Sequence, residues 1–138
     1  MNIIHRDIKP SNIFINNLST KLGDFGLSTM KNNTCLNEDY GSLLYLEPSI
    51  RHGEICTKAM DIFSLGIVII ELYSNFNTEM ERRISLNDPY KYLTNCDLSS
   101  KKKKLIKSCI TENIDKRITI NDLVSLFEKN KYLNIIYT

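Results

Sequence analysis

The 138 residues carry 42% apolar and 25% charged side chains, an ordinary composition for one soluble domain, or part of one, with a real hydrophobic core. A net charge of +2 is too small to mark a nucleic-acid binder or a protein held on an anionic membrane, because such partners call for clustered Lys and Arg. The longest apolar run, residues 67–70, is far too short to cross a bilayer, and Met1-Asn2-Ile3-Ile4-His5 lacks the basic and apolar regions of a secretory signal. A cytoplasmic location with no membrane or nucleic-acid partner is therefore expected. The four cysteines, Cys35, Cys56, Cys96 and Cys109, contain no Cys-x-x-Cys, and with His5 and His52 as the only histidines there is no metal-ligand spacing; reduced thiols are expected.

In chain order, residues 3–25 alternate β-branched or aromatic runs, Ile13-Phe14-Ile15 and then Lys21-Leu22, with the turn formers Pro10, Asn16, Asn17 and Gly23. This predicts loop, strand, turn and strand. Residues 27–55 show no sustained period, and an irregular segment of that length usually carries function. Residues 59–73 place apolar side chains around nearly the whole helical circumference and predict a helix at the centre of the fold. Thr78-Glu79-Met80-Glu81 fits a capping box, in which the hydroxyl bonds an orphan amide and Glu81 reaches back to the cap, so a short helix should start there. Two further helices are predicted over 100–110 and 119–129, the second again opened by Thr-x-x-acid, Thr119 to Asp122. The expected fold is mainly helical with a short two-stranded β element near the N-terminus.

The first loop reads His5-Arg6-Asp7-Ile8-Lys9-Pro10-Ser11-Asn12, and Asp24-Phe25-Gly26 follows the next strand. An exposed charged loop followed by an unrelated turn would not place two ordered motifs at this separation. Together they resemble the catalytic and metal-binding loops of protein kinases, with Lys9 where the Ser/Thr class has its lysine. The resemblance implies the C-terminal lobe of a kinase, a helical bundle from an α+β parent, spanning the whole chain. It makes Asp7 the catalytic base that orients and deprotonates the acceptor hydroxyl, and Lys9 the cation on the transferring phosphate. Asn12 and Asp24 become ligands of the two Mg²⁺ ions that accompany ATP.

Arg6, Phe25, Gly26 and Ser42 fall in or beside the family's activation segment, and the resemblance pairs Arg6 with a phosphorylated residue there. Ser28, Thr29, Thr34 and Ser42 are candidate acceptors, while Glu38 and Asp39 offer a permanent negative charge instead. By the same resemblance Asp61 matches the acid that accepts hydrogen bonds from the catalytic-loop backbone, and Arg117 the arginine that makes a buried ion pair with a Glu at the end of the activation segment, so both are expected to be structural anchors. Ser49 stands where the family has that Glu. Either Glu47 or water compensates, or the segment is looser than in a working kinase.

The stretch from Asp61 to Arg82, above all Phe76-x-Thr78-x-Met80-Glu81-Arg82, is similar to the kinases of the α subunit of eukaryotic translation initiation factor 2. That implies this subunit as substrate, with docking through Thr78, Glu79, Glu81 and Arg82. The Lys101 to Lys104 run reads as a solvated helix face. A Gly-rich loop and strand Lys for ATP have no counterpart among these residues, so the N-terminal lobe is expected to be absent and the chain alone to hold ATP poorly. Three functions stay open: a Ser/Thr kinase fragment, a substrate-docking or kinase-inhibiting module that pairs with a full-length kinase, and a pseudokinase scaffold.

Overall fold

The structure is a computed structural model that describes residues 3–17, 19–30, 43–48 and 56–128. It opens with four short strands, β1 (Ile3–Ile4), β2 (Ile13–Asn16), β3 (Ser19–Leu22) and β4 (Thr29–Met30). β2 and β3 form an antiparallel hairpin in which Ile13 faces Leu22 and Asn16 faces Ser19. At its turn Asn17 sits at φ 50°, a left-handed conformation that asparagine tolerates better than most residues. β1 pairs separately with β4, Ile4 opposite Thr29, so there are two two-stranded sheets where one was expected. Two-residue strands are too short to show an alternating pattern, and their pairing joins residues 25 or more positions apart.

Five helices follow among the described residues: α1 (Lys58–Tyr73), α2 (Glu79–Asn87), α3 (Pro89–Asn95), α4 (Ser100–Ile110) and α5 (Ile120–Glu128). Four of them begin within one residue of the expected positions. α3 was not expected, although its start signal is plain: Asp88 accepts a hydrogen bond from the Lys91 amide at 3.1 Å, and Pro89 occupies the first turn, where its missing N–H does no harm. At α2 the Thr78 hydroxyl accepts from the Glu81 amide at 3.0 Å, but Glu81 reaches the amide of Asn77 rather than of Thr78. The box thus closes one residue earlier than its sequence pattern suggests. At α5, Thr119 accepts from the Asp122 amide and its hydroxyl donates to the Asp122 carboxylate.

α1 is the axis of the core. Ile62, Phe63, Ile67, Val68 and Ile70 are buried against Leu105, Ile106, Cys109 and Ile110 of α4. The close approach depends on Gly66, where a β-carbon would lie 2.7 Å from Ile110 Cγ2 and 2.8 Å from Cys109 Cβ. A second small cluster, Ile4, Leu46, Cys56 and Met60, packs at the other end of α1 beneath the first loop. The helix is not apolar-buried on every side, since Leu72 is 74% exposed. Cys96 and Cys109 are free thiols, with burial pushing Cys109 up to about 11, whereas Cys56 is disulfide-bonded and departs from the expected reduced state. No helix among the described residues is long and apolar enough to cross a membrane.

Gly66→Ala tests the helix contact. Better helix propensity favours alanine by about 1 kcal/mol, but the Cys109 β-carbon is tied to its backbone and cannot step aside, so overpacking of about 1 to 3 kcal/mol should dominate. Urea denaturation is expected to register a net loss of stability; a gain would place the α1–α4 contact wider than it is here.

Candidate functional site

The site is built on a loop pinned from below. Asp61, in the first turn of α1, accepts the amides of His5 at 2.8 Å and Arg6 at 2.9 Å on its two carboxylate oxygens. Two successive amides converge on one carboxylate because Arg6 adopts φ 71° and turns the chain back. Burial raises the Asp61 pKa, while the two amide hydrogen bonds pull it the other way. His5, 3% exposed, receives the Asp7 amide on Nδ1 at 3.3 Å, so Nε2 carries the proton toward the Gly23 carbonyl at 3.0 Å. Its ring also meets Phe25 edge-on at 4.7 Å. One histidine thereby joins the first loop to the Asp24-Phe25-Gly26 turn.

Asp7 and Asn12 are both buried and face each other. The Asn12 amide nitrogen donates to Asp7 Oδ2 at 2.9 Å and to the Asp7 carbonyl at 2.8 Å. Lys9 Nζ lies 2.8 Å from the same Oδ2. The five-residue spacing works because residues Pro10–Asn12 form a tight 3₁₀ turn, with the Asn12 amide bonded to the Lys9 carbonyl at 3.0 Å, which folds Asn12 back over Asp7. The Gly23 amide donates to the Asn12 carbonyl at 2.9 Å and so carries Asp24 to the same rim. Asp24 is exposed, at φ 60°, and its Oδ1 accepts the Gly26 amide at 3.3 Å. A backbone held in this sparsely populated region fixes where the carboxylate points.

This donor set suits Mg²⁺ with a nucleotide. The Asn12 nitrogen is committed to Asp7, so its amide oxygen is the atom that could serve a cation, and Asp24 adds one exposed carboxylate. One or two protein oxygens plus phosphates and water is the arrangement Mg²⁺ ordinarily takes. No group of three or more His, Cys, Asp or Glu among the described residues could hold a metal by itself.

The other expected residues are distributed around this centre. Among the described residues the Arg6 guanidinium makes no ion pair, and Ser28 donates to the His5 carbonyl at 3.4 Å. Ser42, Ser49, Thr34, Glu38 and Asp39 lie outside the described residues. Arg117 is not left unpaired: its Nη2 lies 3.1 Å from Glu47 Oε1, with side chains 0% and 5% exposed. Arg117 also donates to the carbonyls of Thr111 and Ala59 and stacks over Phe63, so one guanidinium ties the 43–48 segment to α1 and to the end of α4. Of the three alternatives for the Ser49 position, Glu47 is the one the structure contains.

The four expected docking residues do unequal work. Thr78 and Glu81 cap α2, and Arg82 turns inward to Glu71 at 2.5 Å, Glu79 at 2.9 Å and the Tyr45 hydroxyl at 2.6 Å. Glu79 remains 68% exposed. The outward face of α2 instead carries Met80 and Ile84, 73% and 61% exposed, neither of which is among the four expected docking residues. Their four-residue spacing on a helix whose buried residue is Leu86 was the available signal.

A pinned loop thus holds Asp7 against Asn12 and Lys9, with Asp24 brought to its rim, and the chain belongs to the protein kinase domain family, whose profile matches residues 1–127. Within that family it is related to the kinases of the initiation factor 2 α subunit. It is 38% identical to eukaryotic translation initiation factor 2-alpha kinase 1 of Plasmodium falciparum, an alignment that covers 99% of this chain and 9% of that protein. It is 38% identical over 58% of its length to eIF-2-alpha kinase GCN2 of Schizosaccharomyces pombe, 6% of that protein. It is 39% identical over 62% of its length to eukaryotic translation initiation factor 2-alpha kinase 3 of Rattus norvegicus, 9% of that protein. The chain therefore spans less than a tenth of the length of these relatives.

Glu47→Gln keeps the shape of the Arg117 contact and removes its charge, leaving a fully buried guanidinium with carbonyl partners only. The expected loss is about 3 to 5 kcal/mol in urea denaturation, a large part of the stability of a domain this size. A loss within the range of an ordinary surface substitution would mean that the ion pair does not hold the 43–48 segment.

Proposed function

We propose that this chain is the catalytic-loop and substrate-binding part of a Ser/Thr protein kinase whose acceptor is the α subunit of translation initiation factor 2. The observation that carries the reading is the state of Asp7: Oδ2 is held by Asn12 and Lys9, while Oδ1 accepts no hydrogen bond among the described residues. A carboxylate oriented on one oxygen and open on the other suits the alignment and deprotonation of an incoming hydroxyl. Lys9, 2.8 Å from that same Oδ2, places a cation where the transferring phosphate would pass. Asn12 and Asp24 would hold the metal ions, and ATP with Mg²⁺ supplies the phosphoryl group and offsets the charge on its oxygens. The choice of acceptor is supported by the names of the relatives, and the activity of a longer natural product carrying these residues is part of the proposal.

Phosphotransfer to the purified α subunit, measured with labelled ATP in the longest natural product that contains these residues, tests the reading. Asp7→Asn should lower the rate by about 10²-fold to 10⁴-fold while leaving binding of the α subunit unchanged. Transfer that survives this substitution would remove Asp7 from the chemistry.

A second reading is a docking or kinase-inhibiting module without catalysis, favoured by the exposed Met80 and Ile84 on α2. In surface plasmon resonance with the α subunit, replacing both by alanine should weaken binding by about tenfold, the size of a modest hot spot. Thr78→Ala should instead act on the helix, lowering stability by about 1 kcal/mol. Equal binding by the Met80/Ile84 variant would take α2 out of recognition.

A further inference from the structure

Beside the first loop lies a cavity of about 390 Å³ lined by Lys9, Pro10, Ser11, Tyr45, Glu71 and Arg82. Lys9 belongs at once to this wall and to Asp7, so whatever presents a hydroxyl to Asp7 must lay its neighbouring residues along this hollow. Besides Lys9 and Ser11 of the first loop, its polar groups come from three separate elements: Tyr45 from the 43–48 segment, Glu71 from the last turn of α1, and Arg82 from α2.

Glu71 is the pivot. Its Oε2 takes the Tyr45 hydroxyl at 2.5 Å and its Oε1 takes Arg82 Nε at 2.5 Å. Arg82 closes the triangle by donating Nη2 to the Tyr45 oxygen at 2.6 Å, and it gives Nη1 to Glu79 at 2.9 Å. Burial, and after it the hydrogen bond to Glu71, push Tyr45 well above the ordinary tyrosine range, so its hydroxyl stays protonated and able to donate to Glu71. A planar fork facing a carboxylate and a phenol oxygen is the arrangement that suits arginine and not lysine, whose ammonium is a single point charge. Three of the five N–H groups of Arg82 are used, which leaves two for a guest.

The charge balance of the hollow follows. Lys9 and Arg82 are its cations; Lys9 engages Oδ2 of Asp7, and Arg82 engages both Glu71 and Glu79. A guest cation finds the Glu71 carboxylate of the wall taken on both oxygens, and Asp7 Oδ1 is kept for the acceptor hydroxyl. A guest carboxylate or hydroxyl finds spare donors on Arg82 and the Lys9 ammonium.

We propose that Glu71 and Tyr45 form a guanidinium-binding site which the chain fills with its own Arg82, and that this internal occupant makes the hollow beside Lys9 reject cationic residues and accept acidic or hydroxyl-bearing ones next to the phosphoacceptor. The selectivity half rests on the reading of Asp7 as the base that receives the acceptor hydroxyl; the occupied guanidinium site does not. Arg82 is thus a specificity-determining residue acting from inside the fold, in place of the outward docking role its sequence position suggests.

Two measurements separate the halves. Arg82→Ala vacates the site while Glu71 and Tyr45 remain. Methylguanidinium at tens of millimolar should raise its thermal midpoint by about 3 °C over sodium chloride of the same concentration. It should do nothing for the wild-type chain or for the double variant Glu71→Gln with Arg82→Ala. Equal response of all three chains, or none in Arg82→Ala, overturns the guanidinium site. In fluorescence anisotropy, serine peptides differing only in glutamate or arginine beside the serine should bind the wild-type chain with glutamate ahead by about threefold to fivefold, and the order should reverse in Arg82→Ala. Arg82→Gln, which removes the charge but fills the volume, serves in this arm where the alanine variant does not fold. Arginine peptides binding the wild type as tightly as glutamate peptides overturn the selectivity. Binding of neither peptide to any variant overturns the acceptor-site reading together with the selectivity that rests on it, while the methylguanidinium arm still decides the internal site.

Discussion

The two amides that His5 and Arg6 donate to Asp61 are the constraint from which the site takes its shape. They anchor an irregular loop to the first turn of the most deeply packed helix, so loop geometry inherits the rigidity of the α1–α4 core. Once the backbone at residues 5 and 6 is set, His5 has its imidazole between the Asp7 amide and the Gly23 carbonyl, and the Asp24 turn is placed by the same side chain. A neutral carboxyl at Asp61 would lose the charge assistance in both hydrogen bonds, which is why burial, acting against ionisation, is tolerated only with two donors aimed at it.

The 43–48 segment is held by the same logic at two points. Glu47 meets Arg117 in a site closed to water, and Tyr45, three positions from Pro48, joins Glu71 and Arg82. Buried charges in such positions do not stabilise by Coulomb attraction alone, because desolvation opposes it; they define a geometry, since each carboxylate is tolerated only where its partners are. The acid that satisfies Arg117 stands two residues ahead of the serine at the usual acidic position, and the chain accommodates the shift because the carbonyls of Thr111 and Ala59 carry the rest of the guanidinium.

The helix α2 has a divided character that also follows from its neighbours. Its N-terminal residues satisfy their own backbone, its inner side gives Arg82 to Glu71, and its outer side leaves Met80 and Ile84 to solvent. Arg82, two residues from both Met80 and Ile84, thus faces the opposite way from that four-residue pair, and only the packing of α2 on α1 says which face is which.

Much of this was legible in the residues themselves. The buried helix from Lys58 to Tyr73, the Thr78 and Thr119 caps and the Asp7-to-Asn12 spacing are local patterns, set by side-chain periodicity, by orphan amides and by a proline-started turn, and they need no distant partner. What the chain alone left open were matters of distance between residues far apart in sequence. The pairing of β1 with β4, the choice of Glu47 for Arg117 across 70 residues, the His5 bridge to Gly23 and the inward turn of Arg82 to Tyr45 across 37 are decided by which surfaces α1 brings together. A short strand or a lone charged side chain carries no periodic signal of its partner; its meaning is fixed by desolvation and geometry, which exist only once the fold has closed.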